Sequence, residues 1–236
     1  MEETVGQAPL RRDRPAPGVL RLRLDRPERR NALDRPLLEA LLDAFAAPEE
    51  PVVVLGSTTP EAFCSGADLR LQDAERAEVS DLLYELYGRI TASAAIVVAA
   101  LDGPAVGGGA QLAIAADLRV AAPTARIRLA GPGHGLAVGA WGLPSLVGRG
   151  RAMDLCLTMR PVDAEEALRI GLVDRVVDDA SAAAVELAAE LARLDPAAAA
   201  RVKRVAWASA RALDALEVER AENRAAWSGS MEVARG

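Results

Sequence analysis

A chain of 236 residues, 51% hydrophobic and 26% charged, carries enough apolar material for one α/β domain with a full core and leaves no room for a second catalytic domain. Its formal net charge of -6 argues against a nucleic-acid partner, because phosphate binding needs a basic face. Cys64 and Cys156 are too few for a disulfide framework, no leader pattern opens the chain, and the apolar runs Ile96 to Leu101 and Gly135 to Val147 fall short of the ~20 residues of a membrane helix, so a reduced, cytoplasmic protein with no membrane association is expected.

Residues 1–18 mix charge with Pro9, Pro15 and Pro17 and show no period, which predicts a flexible terminus. Val19 to Leu24 alternates like a half-buried strand and stops at Asp25-Arg26-Pro27. Leu37, Leu38, Leu41, Leu42 and Phe45 then recur at helical spacing behind Asp34 and Pro36, a cap and first-turn pair. Val52 to Gly56 and Ile96 to Leu101 read as strands buried on both faces, with a helix marked by Leu82, Leu83, Leu86 and Ile90 between them. Val106 to Ala116 is helical by composition and Leu118 to Ala121 is a strand. Asp163 with Glu166 makes a capping box, Gly171 closes that helix, and Val173 to Val177 is a strand. From Ser181 to Trp227 the chain is helical, broken at Pro196. Alternating strands and helices imply parallel pairing through crossover helices.

Four blocks in order carry a resemblance: Asp25 to Leu33, Phe63-Cys64-Ser65-Gly66-Ala67-Asp68-Leu69, Gly103 to Asp117, and Leu146 to Ala152, joined by Pro161 to Val177. Together they resemble the crotonase (enoyl-CoA hydratase/isomerase) family over roughly residues 19–205. The resemblance implies an α/β spiral of ββα repeats over residues 19–180, then a C-terminal helical segment over 181–236 that serves oligomerisation and CoA capping. It also implies a homotrimer or dimer of trimers, and an acyl-CoA thioester as substrate or ligand with no other cofactor.

In that resemblance the backbone N–H groups of Ala67 and Gly108 form an oxyanion hole, which stabilises the enolate-like oxygen of a thioester; one such donor is worth ~10²–10³ in rate. Taken alone, Gly107-Gly108-Gly109 would be a tight turn under a helix. Ser65, Asp68, Leu69 and Gly107 surround the hole, Pro132 and Trp141 border the acyl pocket, and Ala32 and Leu33 line the pantetheine and adenine. Arg29, Arg30 and Lys203 are placed to meet CoA phosphates, with a solvated surface as the rival reading for the two arginines. Leu136, Val138 and Leu143 would cover the acyl tail or serve only as core.

Hydration needs two carboxylates, each worth ~10²–10⁴. The family positions for them are Gln111 and Gly131 here, the position used by some isomerases is Gly139, and no Asp or Glu occurs from Leu118 to Met153. The expectation is an acyl-CoA-binding protein of fatty-acid or related lipid metabolism whose hydratase activity is lost or weak. Three alternatives stand beside it. His134, the only histidine, can serve as acid or base in an isomerase, decarboxylase or slow hydratase. Cys64 can be read as a thioesterase nucleophile, and the chain can be read as a structural partner subunit. One histidine and two scattered cysteines give no metal-ligand spacing, and Asp68 and Asp117 read as structural.

Overall fold

The computed structural model describes residues 8–68, 70 and 73–227. Nine strands and nine α-helices are formed among them: β1 Leu10–Ala16, β2 Val19–Leu24, α1 Arg35–Ala46, β3 Val52–Ser57, α2 Asp73–Ala92, β4 Ile96–Leu101, β5 Ala105–Val106, α3 Gly108–Ala115, β6 Leu118–Ala121 and β7 Arg126–Arg128. They continue with α4 Leu143–Val147, α5 Arg149–Thr158, β8 Val162–Asp163, α6 Ala164–Arg169, β9 Arg175–Val176, α7 Ala180–Leu191, α8 Pro196–Ser209 and α9 Ala212–Trp227. The main sheet runs β1-β2-β3-β4-β6-β9, parallel from β2 onward, and a small second sheet runs β5-β7-β8.

The period-two pattern of the strands sorts the core into two layers. Leu20, Leu22, Leu24, Val53, Leu55, Val97, Ala99 and Leu101 face the layer holding α1, α2 and α3. Val19, Val52, Val54, Val98, Ala100 and Val120 face Ala180, Ala184, Leu187 and Ala188 of α7. The helix α7, expected as part of the C-terminal segment, is thus half of the sheet's packing.

The terminus expected to be flexible contains β1, which pairs antiparallel with β2 from Leu10↔Leu24 to Ala16↔Val19. Four of its seven residues are charged, Arg11, Arg12, Asp13 and Arg14, so no apolar alternation marks it. Arg11 pairs with Asp25, Arg12 with Asp43, and Arg14 with Glu49 and Glu50. Charged side chains of this kind protect an edge strand from pairing with other molecules. The C-terminal helices break twice, at Pro196 as expected and again at Arg211, whose φ of 48° is left-handed. No described helix is long and apolar enough to cross a membrane.

Lys203 ties α8 to the core. It is 4% exposed, and its Nζ donates to Asp117 Oδ2 at 2.8 Å, to the Ile90 carbonyl at 2.9 Å and to the Ala95 carbonyl at 2.8 Å. Asp117 in turn accepts from the Val97 N–H and from Trp207 Nε1. Removing one partner of such a buried pair strands the other charge, so Lys203→Met is expected to lower the unfolding free energy by about 3 kcal/mol. Urea denaturation of the two proteins checks this, and an unchanged midpoint would refute the assignment.

Candidate functional site

The site begins where three loops dock through their backbones. Asn31, fully buried and left-handed at φ 53°, donates from Nδ2 to Ser57 Oγ and to the carbonyls of Ala62 and Phe63, while its Oδ1 accepts from the Arg26 N–H. Asparagine tolerates that backbone region better than most residues. The loop it fixes then holds the next one: Ser65 N–H donates to the Arg30 carbonyl and Leu33 N–H to the Gly66 carbonyl.

Gly66 has φ +92°, and a β-carbon there would meet the Val106 carbonyl at 2.8 Å. A β-carbon on Gly109 would lie 2.3 Å from the Cys64 carbonyl. Only glycine lets these backbones approach so closely. The result is that Ala67 and Gly108, from separate loops, line one cavity. The Ala67 N–H lies outside the pairing with Leu33, whose bonds run through Gly66 and Asp68. Gly108 opens α3, so its N–H has no helical partner and adds to the positive end of the helix.

The cavity holds about 150 Å³ and is walled mainly by Ser65, Gly66, Gly107, Gln111, Gly131, His134, Leu136 and Val138. It is closed from the side by Tyr84 and Arg76 of α2 and by Asn223 and Trp227 of α9, with the Arg76 guanidinium 5.2 Å from the Trp227 ring centre. Any β-carbon on Gly131 would stand 2.5 Å from the Leu136 carbonyl and 2.7 Å from Val138 Cβ, so the turn admits no side chain there.

Several residues expected at the site do not wall this cavity. Trp141 is packed behind the cavity, 3% exposed, stacked between Tyr87 and Trp207 with ring centres 6.0 and 6.3 Å away, and donates from Nε1 to Gln111 Oε1 at 2.7 Å. Leu143, Ala32 and Leu33 are buried core residues. The ammonium of Lys203 is consumed internally, and the residue borders a separate groove beside Trp207. Arg29 and Arg30 hold Ser65 through their carbonyls, and neither side chain walls the cavity. Pro132 is exposed beside it, and Asp68 caps its own turn by accepting from the Arg70 N–H. Leu69 lies outside the described residues. The thiol of Cys64 is fully buried, donates to the Asn31 carbonyl and is pushed by burial up to about 12, which removes it as a nucleophile. No cluster of metal-ligating side chains occurs among the described residues.

The residue that sequence reasoning missed is Glu219 on α9. It is 4% exposed and accepts from Tyr84 Oη at 2.8 Å, from the Gly139 N–H at 3.1 Å and from the Trp141 N–H at 2.9 Å. Burial pushes its carboxyl above the usual range, against the pull of these donors. The Gly139 N–H also reaches Gln111 Oε1 at 3.0 Å, so the two side chains share a donor. A search for acids near the glycine motif could not find it, because a C-terminal helix delivers it.

Residues 15–230 match the sequence model of the enoyl-CoA hydratase/isomerase family. A probable enoyl-CoA hydratase of Mycobacterium bovis is 44% identical over 197 residues, covering 80% of this chain and 79% of the relative. Among solved structures, an enoyl-CoA hydratase from Mycobacterium avium subsp. paratuberculosis K-10 superposes with a TM-score of 0.84 at 30% identity, covering 96% of each chain. A monofunctional enoyl-CoA isomerase from M. smegmatis gives a TM-score of 0.74 at 33% identity, over 89% of this chain and 99% of the other.

His134 stands at the cavity wall. Burial, then the charges of Arg76 and Arg128, hold its imidazolium below the ordinary value, and its Nδ1 is buried without a partner among the described residues. The unfolded chain therefore takes up this proton near pH ~6.5 while the folded one does not, and stability is lost as pH falls from there through the depressed native value. His134→Asn is expected to shrink the fall in Tm between about pH 7.5 and about pH 5. An identical fall in both proteins would count against the assignment.

Proposed function

The chain belongs to the enoyl-CoA hydratase/isomerase family, and from that membership we propose that its cavity binds an acyl-CoA thioester, with hydration lost or weak, in fatty-acid or related lipid metabolism. The observation that carries the reading is the convergence of Ala67 and Gly108 on one cavity. Their N–H groups are fixed by backbone packing before any ligand arrives, which is what stabilises a developing oxyanion without reorganisation. Leu136 and Val138 supply the apolar wall for the first carbons of the acyl chain.

At the two positions where hydration needs carboxylates stand Gln111 and Gly131. Gln111 accepts from Trp141 and Gly139 and cannot take up or release a proton. A second reading, an active isomerase, decarboxylase or slow hydratase using His134, is favoured by that imidazole lining the cavity with an Nδ1 that has no partner among the described residues. The oligomer proposed is a homotrimer or dimer of trimers, supported by exposed Met153 and Leu157 on α5 and Val202 and Val205 on α8.

Two experiments test this. A long-chain acyl-CoA should raise Tm in proportion to the logarithm of its concentration, and Ala67→Trp, which fills the cavity mouth, should abolish the shift. No shift with the unaltered protein would refute the reading. In single-turnover assays with trans-2-enoyl-CoA, Gln111→Glu should leave hydration undetected, because Gly131 admits no side chain and the new carboxylate would share the Gly139 N–H with Glu219. Full hydratase activity in that single variant would contradict the reading.

A further inference from the structure

Among the described residues Glu219 is the sole buried acid. The donors around it are neutral, a phenol and backbone N–H groups that include those of Gly139 and Trp141. Both carboxyl oxygens accept, Oε1 from Tyr84 and Gly139 and Oε2 from Trp141, which an amide with its single acceptor oxygen could not reproduce. Fastening α9 to the 137–141 loop is one account of an acid held out of water here without a cation, which is costly.

The directions of the hydrogen bonds supply another account. Asn223 Oδ1 accepts from the Ala137 N–H at 2.8 Å, which fixes the orientation of its amide, and Nδ2 then donates to the Tyr84 oxygen at 2.7 Å. With Asn223 as donor, the single hydrogen of the phenol is directed to Glu219 Oε1. Tyr84 lines the cavity and Glu219 does not, so the phenol is the link between the carboxylate and a bound ligand.

We propose that Tyr84 and Glu219 form a proton relay that exchanges the α-hydrogen of a bound acyl thioester, an inference that rests on the thioester-binding reading above. The α C–H bond breaks and its proton goes to the Tyr84 oxygen, while the phenol's own proton passes to Glu219 Oε1. The C–H electron pair becomes the enolate, whose oxygen is held by the Ala67 and Gly108 N–H groups. The reverse sequence returns a proton to the same carbon after exchange with solvent, and no co-reactant is consumed. Tyr84 is then the catalytic residue and Glu219 a positioning residue that receives the relayed proton. Burial keeps the phenol protonated between transfers and makes the carboxyl a better acceptor than an exposed one.

The test is deuterium incorporation at the α-carbon of trans-3-hexenoyl-CoA, incubated in D₂O with the full chain at saturating concentration and read by mass spectrometry, with Kd measured in parallel. The unaltered protein should incorporate deuterium. Tyr84→Phe, which keeps the ring, and Glu219→Gln, which keeps the shape, should each slow incorporation ~100-fold or more with Kd unchanged within about threefold. The double variant should be no slower than either single one, because the pair acts as a unit. Binding without exchange overturns this inference alone, as does exchange that persists in Tyr84→Phe. Absence of binding by the unaltered protein overturns the thioester reading and the relay with it. If Glu219→Gln fails to fold, Tyr84→Phe alone decides between the outcomes.

Discussion

Everything at the site depends on backbone meeting backbone without a side chain between. The Cys64 carbonyl sits where a β-carbon of Gly109 would be, and the Val106 carbonyl sits against Gly66. These two approaches bring the loop after β3 onto the start of α3, and with it Ala67 onto Gly108. The alignment is set by the parallel sheet, since β3 and β4 pair in register and deliver both loops to the same end. Ligands in open α/β sheets gather at the carboxyl ends of strands for this reason. A side chain at either glycine would force these two backbones apart.

The pocket so formed is closed by the chain's last described helix. Asn223 and Trp227 of α9 wall it opposite the glycine loops, and Tyr84 and Arg76 of α2 complete the wall. The row of rings from Tyr84 through Tyr87 and Trp141 to Trp207 runs from the cavity into the core and carries α8 with it. Aromatic pairs of this geometry add ~0.5–1.5 kcal/mol each beyond their buried area. The C-terminal helices are therefore bound to the site by packing as well as by the Glu219 and Asn223 hydrogen bonds.

The sequence made the scaffold legible because its signals are local. Asp34 and Asp163 cap the helices they precede, and β2, β3 and β4 follow their apolar runs. The glycine motif and the Phe63 block lead to the same cavity because each is read within a few residues. What was not legible is set by tertiary contact. Trp141 looks like a pocket residue by position, yet its ring is turned to Gln111 and the core. Lys203 looks like a phosphate ligand, yet Asp117 and two carbonyls exhaust its donors. β1 escaped because this edge strand is mostly charged and shows no alternation of hydrophobicity. Nothing near Glu219 in sequence marks it as part of a site formed by residues far earlier in the chain.

Gln111 and Glu219 have to be read together. Each accepts from the same Gly139 N–H, at 3.0 and 3.1 Å, and each accepts from Trp141, one at the indole and one at the backbone. Two carboxylates this close in a dry site cannot both ionise, and one would be forced to keep its proton. The neutral amide at 111 is thus what allows an acid from α9 to occupy the space beside it. Judged from the glycine motif alone, position 111 is a glutamate lost. Judged in the folded molecule, it is the neutral half of a pair whose acidic half enters from another helix and is hydrogen-bonded to a phenol that lines the cavity.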